Sequence, residues 1–196
     1  YTTLSLIESL TMIECIVNSI FNSITYIIPV GSQKDCYLVD CGDVEKVIKQ
    51  GWLVRGVLLT HAHFDHIYGL NKLMEKFPDA LVYTNADGQK GLQNPKWNFS
   101  RYHEEVENFV FCKSENVRVF ESCGVYEFDK DIKVEVLFTP GHDLSCITYK
   151  ISNCLYTGDA YIPGIKVVTT FPRSNKQVAK ESLERLQKLE CLGLKI

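Results

Sequence analysis

The chain has 196 residues, of which 45% are hydrophobic and 23% charged, with a formal net charge of −3. That length and apolar share fit one domain with a two-layer or sandwiched core. The weakly acidic balance lacks the basic face that nucleic-acid binding calls for, and no uninterrupted apolar run reaches transmembrane length.

The eight cysteines (Cys15, Cys36, Cys41, Cys112, Cys123, Cys146, Cys154 and Cys191) are scattered, with no Cys-x-x-Cys pair. Several lie inside apolar, strand-like runs, so they read as reduced thiols of a cytoplasmic protein rather than as a disulfide framework. No basic residue precedes Lys34, which argues against a signal peptide with a charged start. Residues 1–11 read as an upstream extension, because Met12 opens the first convincing strand.

Strands are expected at Ile13–Val17, Ile24–Val30 and Tyr37–Val39, rich in β-branched residues and separated by Asn, Gly and Ser. Asp43–Gln50 has helical spacing, with Asp43 as its N-cap and Gly51 as its stop. Val54–Leu59 is a further strand. Helix Ile67–Phe77 ends at Pro78, and strand Leu81–Thr84 follows. Residues 86–116 lack a clean period and have two readings, a substrate-facing insertion or an irregular helical connector. Strands return at Val117–Phe120, Lys133–Phe138, Cys146–Ile151 and Cys154–Tyr156. An amphipathic helix spans Ser174–Leu189, and Leu194–Ile196 begins one more strand.

The chemistry concentrates at Thr60–His66, Thr-His-Ala-His-Phe-Asp-His, directly after a buried strand. His61 and His63 are two apart, so extended backbone turns both imidazoles to one side. Asp65 and His66 follow where a helix begins, which aims them at a second point. Imidazole and carboxylate are the ligands of zinc, iron and manganese. Two more candidates stand after strands and tight turns: His142 in Thr139-Pro140-Gly141-His142, and Asp159 in Thr157-Gly158-Asp159. Each is weak alone. The order of a His cluster, a strand-end His and then a strand-end Asp is much stronger.

In these motifs the chain resembles the metallo-β-lactamase-fold hydrolases, and among them the short, single-domain relatives of glyoxalase II. The resemblance runs from about residue 13 to 196. It implies an α/β fold, the four-layer αββα metallo-β-lactamase sandwich, over the single domain 1–196. It also implies a dinuclear site. His61, His63 and His142 would hold the first metal, Asp65 and His66 the second, and Asp159 would bridge them. The family usually supplies one more histidine to the second metal just after a final strand. None follows His142, and the sequence stops about where that strand should reach it. We expect that the sequence ends early; a natural end would leave the second site weak or empty.

The implied reaction is hydrolysis of a small thioester, ester or lactone by water activated between two divalent ions, zinc by default with iron or manganese as alternatives. Asp65 is the expected catalytic residue, orienting that water or taking its proton. Beyond the metals, Arg173 and Lys176 stand at the start of the last helix. They read either as a grip for a substrate carboxylate or as solvated charges. Tyr161 is an oxyanion donor or a packing residue. His103 reads as a surface or lid residue. Trp97, Phe99 and Tyr102 form either an apolar wall over the site or part of the insertion's core. The extra C-terminal helical region with which glyoxalase II binds glutathione has no counterpart here, which counts against glutathione thioesters. Two alternatives remain, a mononuclear iron persulfide dioxygenase of the same fold and a metal-binding protein without turnover. The expected partner is a small molecule, with no nucleic acid and no membrane.

Overall fold

The computed structural model describes residues 14–31, 33–104, 106–129 and 132–192. The expected extension at 1–11, the first residue of the expected opening strand, and the strand expected at Leu194–Ile196 lie outside the described residues.

One sheet holds six strands in sequential order: β1 (Glu14–Val17), β2 (Ile24–Val30), β3 (Asp35–Val39), β4 (Leu53–Leu58), β5 (Leu81–Thr84) and β6 (Val117–Val119). The first three pair antiparallel; β3 to β6 run parallel. Parallel neighbours need crossovers. These are supplied by α1 (Val44–Lys49), by α2 (Phe64–Ile67) with α3 (Leu70–Lys76), and by α4 (Ala86–Leu92). The second sheet is an antiparallel meander of β7 (Gly124–Asp129), β8 (Ile132–Phe138), β9 (Ile147–Ile151) and β10 (Cys154–Tyr156). Helix α5 (Lys176–Cys191) follows.

Side-chain alternation sorts these elements into four layers. On β3, Cys36 and Leu38 face the helices, packing with Val44, Val47, Leu70 and Leu73, while Tyr37 and Val39 face the second sheet. A register shift in β4 beside Cys36 and Tyr37 lets Val54 and Val57 share the helix side despite their odd spacing. Val134, Val136, Ile147 and Tyr149 complete the inter-sheet core. On the outer face of the second sheet, the fully buried Leu186 of α5 packs on Cys146, Ala160 and Tyr161. Leu186→Ala there costs about 2–5 kcal/mol. The expected αββα sandwich is therefore the observed one. No helix among the described residues is long and apolar enough to cross a membrane.

Several local expectations change. The helix expected from Ile67 begins at Phe64 and breaks at Tyr68–Gly69, where the Gly69 N–H donates to the Cys41 carbonyl at 2.9 Å. Asp43 precedes α1 without capping it. Its carboxylate accepts instead from Ser19 N, Ser19 Oγ and the Tyr68 hydroxyl, and pairs with Lys46. The aperiodic segment contains α4, capped by Asn85, whose side chain accepts from the Gly88 N–H. Strand β7 was not anticipated, although its Val-Tyr-Glu-Phe stretch alternates outward Val125 and Glu127 with half-buried Tyr126 and Phe128.

Candidate metal centre

The ends of β4, β8 and β10 meet on one side of the sandwich, and each carries part of the site. Cross-sheet hydrogen bonds fasten the His cluster there. Ile147 N–H donates to the Thr60 carbonyl (2.7 Å), the Tyr149 hydroxyl to the Leu59 carbonyl (2.7 Å), and Ala62 N–H to Ser145 Oγ (3.1 Å). Two glycines permit the close approach of the other ligands. At Gly141 (φ +136°) a Cβ would strike the backbone of Ala179 on α5. At Gly158 (φ +50°) it would strike the Thr60 side chain. The next residues are His142 and Asp159.

His61, His63 and His142 are buried, and their donor atoms lie within 4.8 Å of one another; His61, His66 and Asp159 form a second such group. The two groups share His61. Nδ1 of His63 faces Nε2 of His142 at 3.0 Å. Nε2 of His66 lies 3.3 Å from Asp65 and 3.4 Å from Asp159, and Nε2 of His142 lies 3.4 Å from the other Asp159 oxygen. Asp65 thus stands beside the second group through His66, and Asp159 stands between the two groups.

Hydrogen bonds on the outward-facing nitrogens of His142, His66 and His61 fix which nitrogen of each ring faces the centre. His142 Nδ1 donates to the Val168 carbonyl at 2.9 Å. His66 Nδ1 donates to Asp40 Oδ2 at 2.7 Å. His61 Nδ1 donates to Thr60 Oγ1 (3.1 Å), whose own proton goes to the same Asp40 oxygen (2.7 Å). His63 Nε2 lies 3.7 Å from Asp143. That carboxylate is held by Ser145 N and Oγ and by Arg173 Nε.

This arrangement fits a divalent cation. Nε2 of His61 is buried without a hydrogen-bond partner among the described residues. The two nitrogens facing each other at 3.0 Å need a proton or a cation between them. Burial, reinforced by the neighbouring imidazoles, holds the His61 ring well below its ordinary range, so its donor is open at neutral pH. At His66, burial opposes the charge, but Asp65 and Asp40 outweigh it and hold the ring well above its ordinary range. Against the upward push of burial, His66 takes the Asp159 carboxyl down to about 2.

The centre forms the floor of a cavity of about 450 Å³. Its walls include Phe21, Phe99, Tyr102, His103, Ile162, Val168 and Phe171. Phe99 (φ +65°) lays its ring 4.7 Å from His63 and 4.8 Å from Phe171.

The sequence profile of the Metallo-beta-lactamase superfamily matches residues 21–192. The chain belongs to that superfamily. Similar solved structures include the BLEG-1 B3 metallo-β-lactamase, at 21% identity and TM-score 0.76, over 87% of this chain and 83% of that one. A di-iron-bound form of TTHA1623 gives 22% identity and 0.74, over 90% and 87%. ETHE1 from Myxococcus xanthus gives 21% and 0.63, over 89% and 69%. At these identities the likeness is one of fold.

Within this metallo-β-lactamase fold the three residues proposed for substrate stand apart from the cavity. Arg173 points its guanidinium at Asp143 (2.9 Å), approaches Asp87 (3.5 Å) and stacks on Trp97 (4.4 Å). Its charge is therefore engaged inside the protein. Lys176 is exposed as the first residue of α5 and is absent from the cavity lining. The Tyr161 hydroxyl donates to Glu190 at 2.6 Å, directed to α5 rather than to the ligands. Trp97 sits under Arg173, while Phe99 and Tyr102 do form a wall of the cavity. His103, half-buried between Phe21 and Phe64, lines it as well.

Sequence reasoning passed over Asp40 and Asp143. Asp40 follows β3 with φ +61° and is 1% exposed. An acidic residue ending an apolar strand was the available signal. Asp143 was visible only as the neighbour of His142.

Proposed function

We propose that this chain is a metal-dependent hydrolase of small thioesters, esters or lactones, similar to glyoxalase II in its ligand set. The observation that carries the reading is the pair of buried donor groups sharing His61 at the floor of an accessible cavity. His61, His63 and His142 would hold one divalent ion, Asp65 and His66 the other, with Asp159 between them. Zinc is the expected metal, and the nitrogen and oxygen donors suit iron or manganese as well. Two such ions supply Lewis acidity and lower the pKa of a shared water towards neutrality.

The chain's own residues do the rest. Asp65 offers a carboxylate oxygen beside His66 to orient the attacking water and take its proton, and its backbone carbonyl is fixed by Ser23 Oγ at 2.6 Å. Asp40 fixes the ring orientation of His66, and through Thr60 that of His61, so that their Nε2 atoms face the centre. Phe99 and Phe171 wall off His63 from bulk water. The second donor group, with Asp65 beside it, favours this chemistry over a mononuclear iron dioxygenase, in which Asp65 and His66 would have no metal to serve. Free cysteines, three of them fully buried, support a reducing, cytoplasmic setting.

The test is a panel of acyl thioesters, aryl esters and lactones assayed with metal-replete protein, chelated protein and His142→Ala. Hydrolysis that disappears on chelation and in the variant, and returns with metal, is the expected result. Oxygen uptake with a persulfide and no hydrolysis on the panel would overturn it.

A further inference from the structure

We infer that the acyl portion of the substrate is uncharged and apolar, and that its chain leaves the reacting carbonyl along a rim of Phe21, Tyr102, Ile162 and Val168. This rests on the hydrolase reading above and narrows its substrate class. Four observations carry it.

First, the cavity has no lysine or arginine among its described lining residues, and beyond the ligand set its only titratable side chains are Tyr102 and His103. A carboxylate, sulfonate or phosphate on the acyl chain would find no lysine or arginine partner in that lining and would lose hydration against its aromatic wall, which is costly. Second, the candidate cation Arg173 is engaged by Asp143, Asp87 and Trp97. Arg101 and Lys166 stand close to the rim in sequence and do not line the cavity.

Third, Phe21, Tyr102, Ile162 and Val168 are 67%, 63%, 40% and 46% exposed, so large apolar side chains are left open to water at one mouth. Exposed apolar surface gathered round a cleft marks a ligand surface. Fourth, the volume of about 450 Å³ lies within the range of roughly 300–1,000 Å³ that accommodates a drug-sized ligand. An acetyl group would leave most of that space to water.

The experiment uses thioesters of one neutral thiol, N-acetylcysteamine, with acetyl, butanoyl, hexanoyl and octanoyl chains, plus an octanoyl analogue carrying a terminal carboxylate. With metal-replete protein, kcat/KM should rise about 10-fold or more from acetyl to octanoyl, as methylenes are buried. The terminal carboxylate should lose about 10-fold against octanoyl. In Ile162→Lys, an exposed substitution, that preference should shrink or reverse. A binding arm keeps the inference separate from turnover. N-methyloctanamide, which keeps the octanoyl chain and has no scissile ester, is titrated into metal-free protein and followed by backbone amide NMR shifts. Shifts at Ile162 and Val168, weaker with its terminal-carboxylate analogue, support the inference even if no substrate on the panel is hydrolysed; that second result would count against the hydrolase reading alone. Equal binding and equal rates for charged and neutral chains, or no dependence on chain length, would overturn it.

Discussion

Nδ1 of His66 donates a 2.7 Å hydrogen bond to Asp40, and the side chains of both residues are 5% exposed or less. The same carboxylate accepts from the backbone and hydroxyl of Thr60, so one buried acid orients the histidines on either side of the ligand cluster. Asp40→Ala should therefore weaken metal binding about 10–100-fold. It should also cost about 1–3 kcal/mol in stability by leaving the buried Nδ1–H of His66 without an acceptor. Chelator competition and urea unfolding measure the two effects. Unchanged metal affinity would show that Asp40 serves the fold alone.

Arg173 holds Asp143, whose carboxylate stands 3.7 Å from Nε2 of His63. Against the upward push of burial, the His63 ring, the Arg173 guanidinium and Ser145 draw the Asp143 carboxyl far below the ordinary range. Arg173→Met should destabilise the protein by about 3 kcal/mol. It should lower the rate by the same factor for anionic and neutral substrates, because the charge does not face the cavity. A selective loss on anionic substrates would restore the role of a carboxylate grip.

Loading the centre at neutral pH should release protons. The folded, metal-free His66 titrates well above its ordinary value, so at pH 7 it carries a proton that a metal on Nε2 must displace. Calorimetry in buffers of different ionisation enthalpy should report net release. The same raised pKa means that the contribution of His66 to metal-free stability is complete below about pH 6.5 and is lost as pH climbs through the folded value. Metal binding without proton release would contradict this assignment.

Asp43 has the opposite sign. Burial pushes its carboxyl up, but Lys46, Tyr68 and Ser19 outweigh that and bring it down to about 2. Its contribution is then present above about pH 4 and fades as pH falls through about 2. Asp43→Asn should cost about 1–2 kcal/mol at pH 7 from the weakened hydrogen bonds. The gap between variant and wild type should narrow at pH 3. A gap that widens in acid would exclude this linkage.

The sandwich and the clustering of His61, His63, His66, His142 and Asp159 were legible because both depend on local pattern. Val57, Leu58 and Leu59 are apolar and buried on both faces, and His61 and His63 share a side because strand geometry repeats every two residues. The roles of Tyr161 and Arg173 were not legible. Tyr161 is set by Glu190 and Arg173 by Asp143 and Trp97, partners 29, 30 and 76 positions away. The cavity wall combines Phe21, Phe99 and Phe171 from three separate loops, none of which has a periodicity to announce it. Asp40 hid for a different reason. A lone acid after a strand is common, and only its burial and its three hydrogen-bonded partner atoms set it apart.

The most direct test of the account is metal stoichiometry by elemental analysis of purified protein, wild type beside His66→Ala and His142→Ala. Two divalent ions per wild-type chain, with each variant losing about one, is the predicted result. A single ion in the wild type that His66→Ala leaves in place would contradict the two-metal centre.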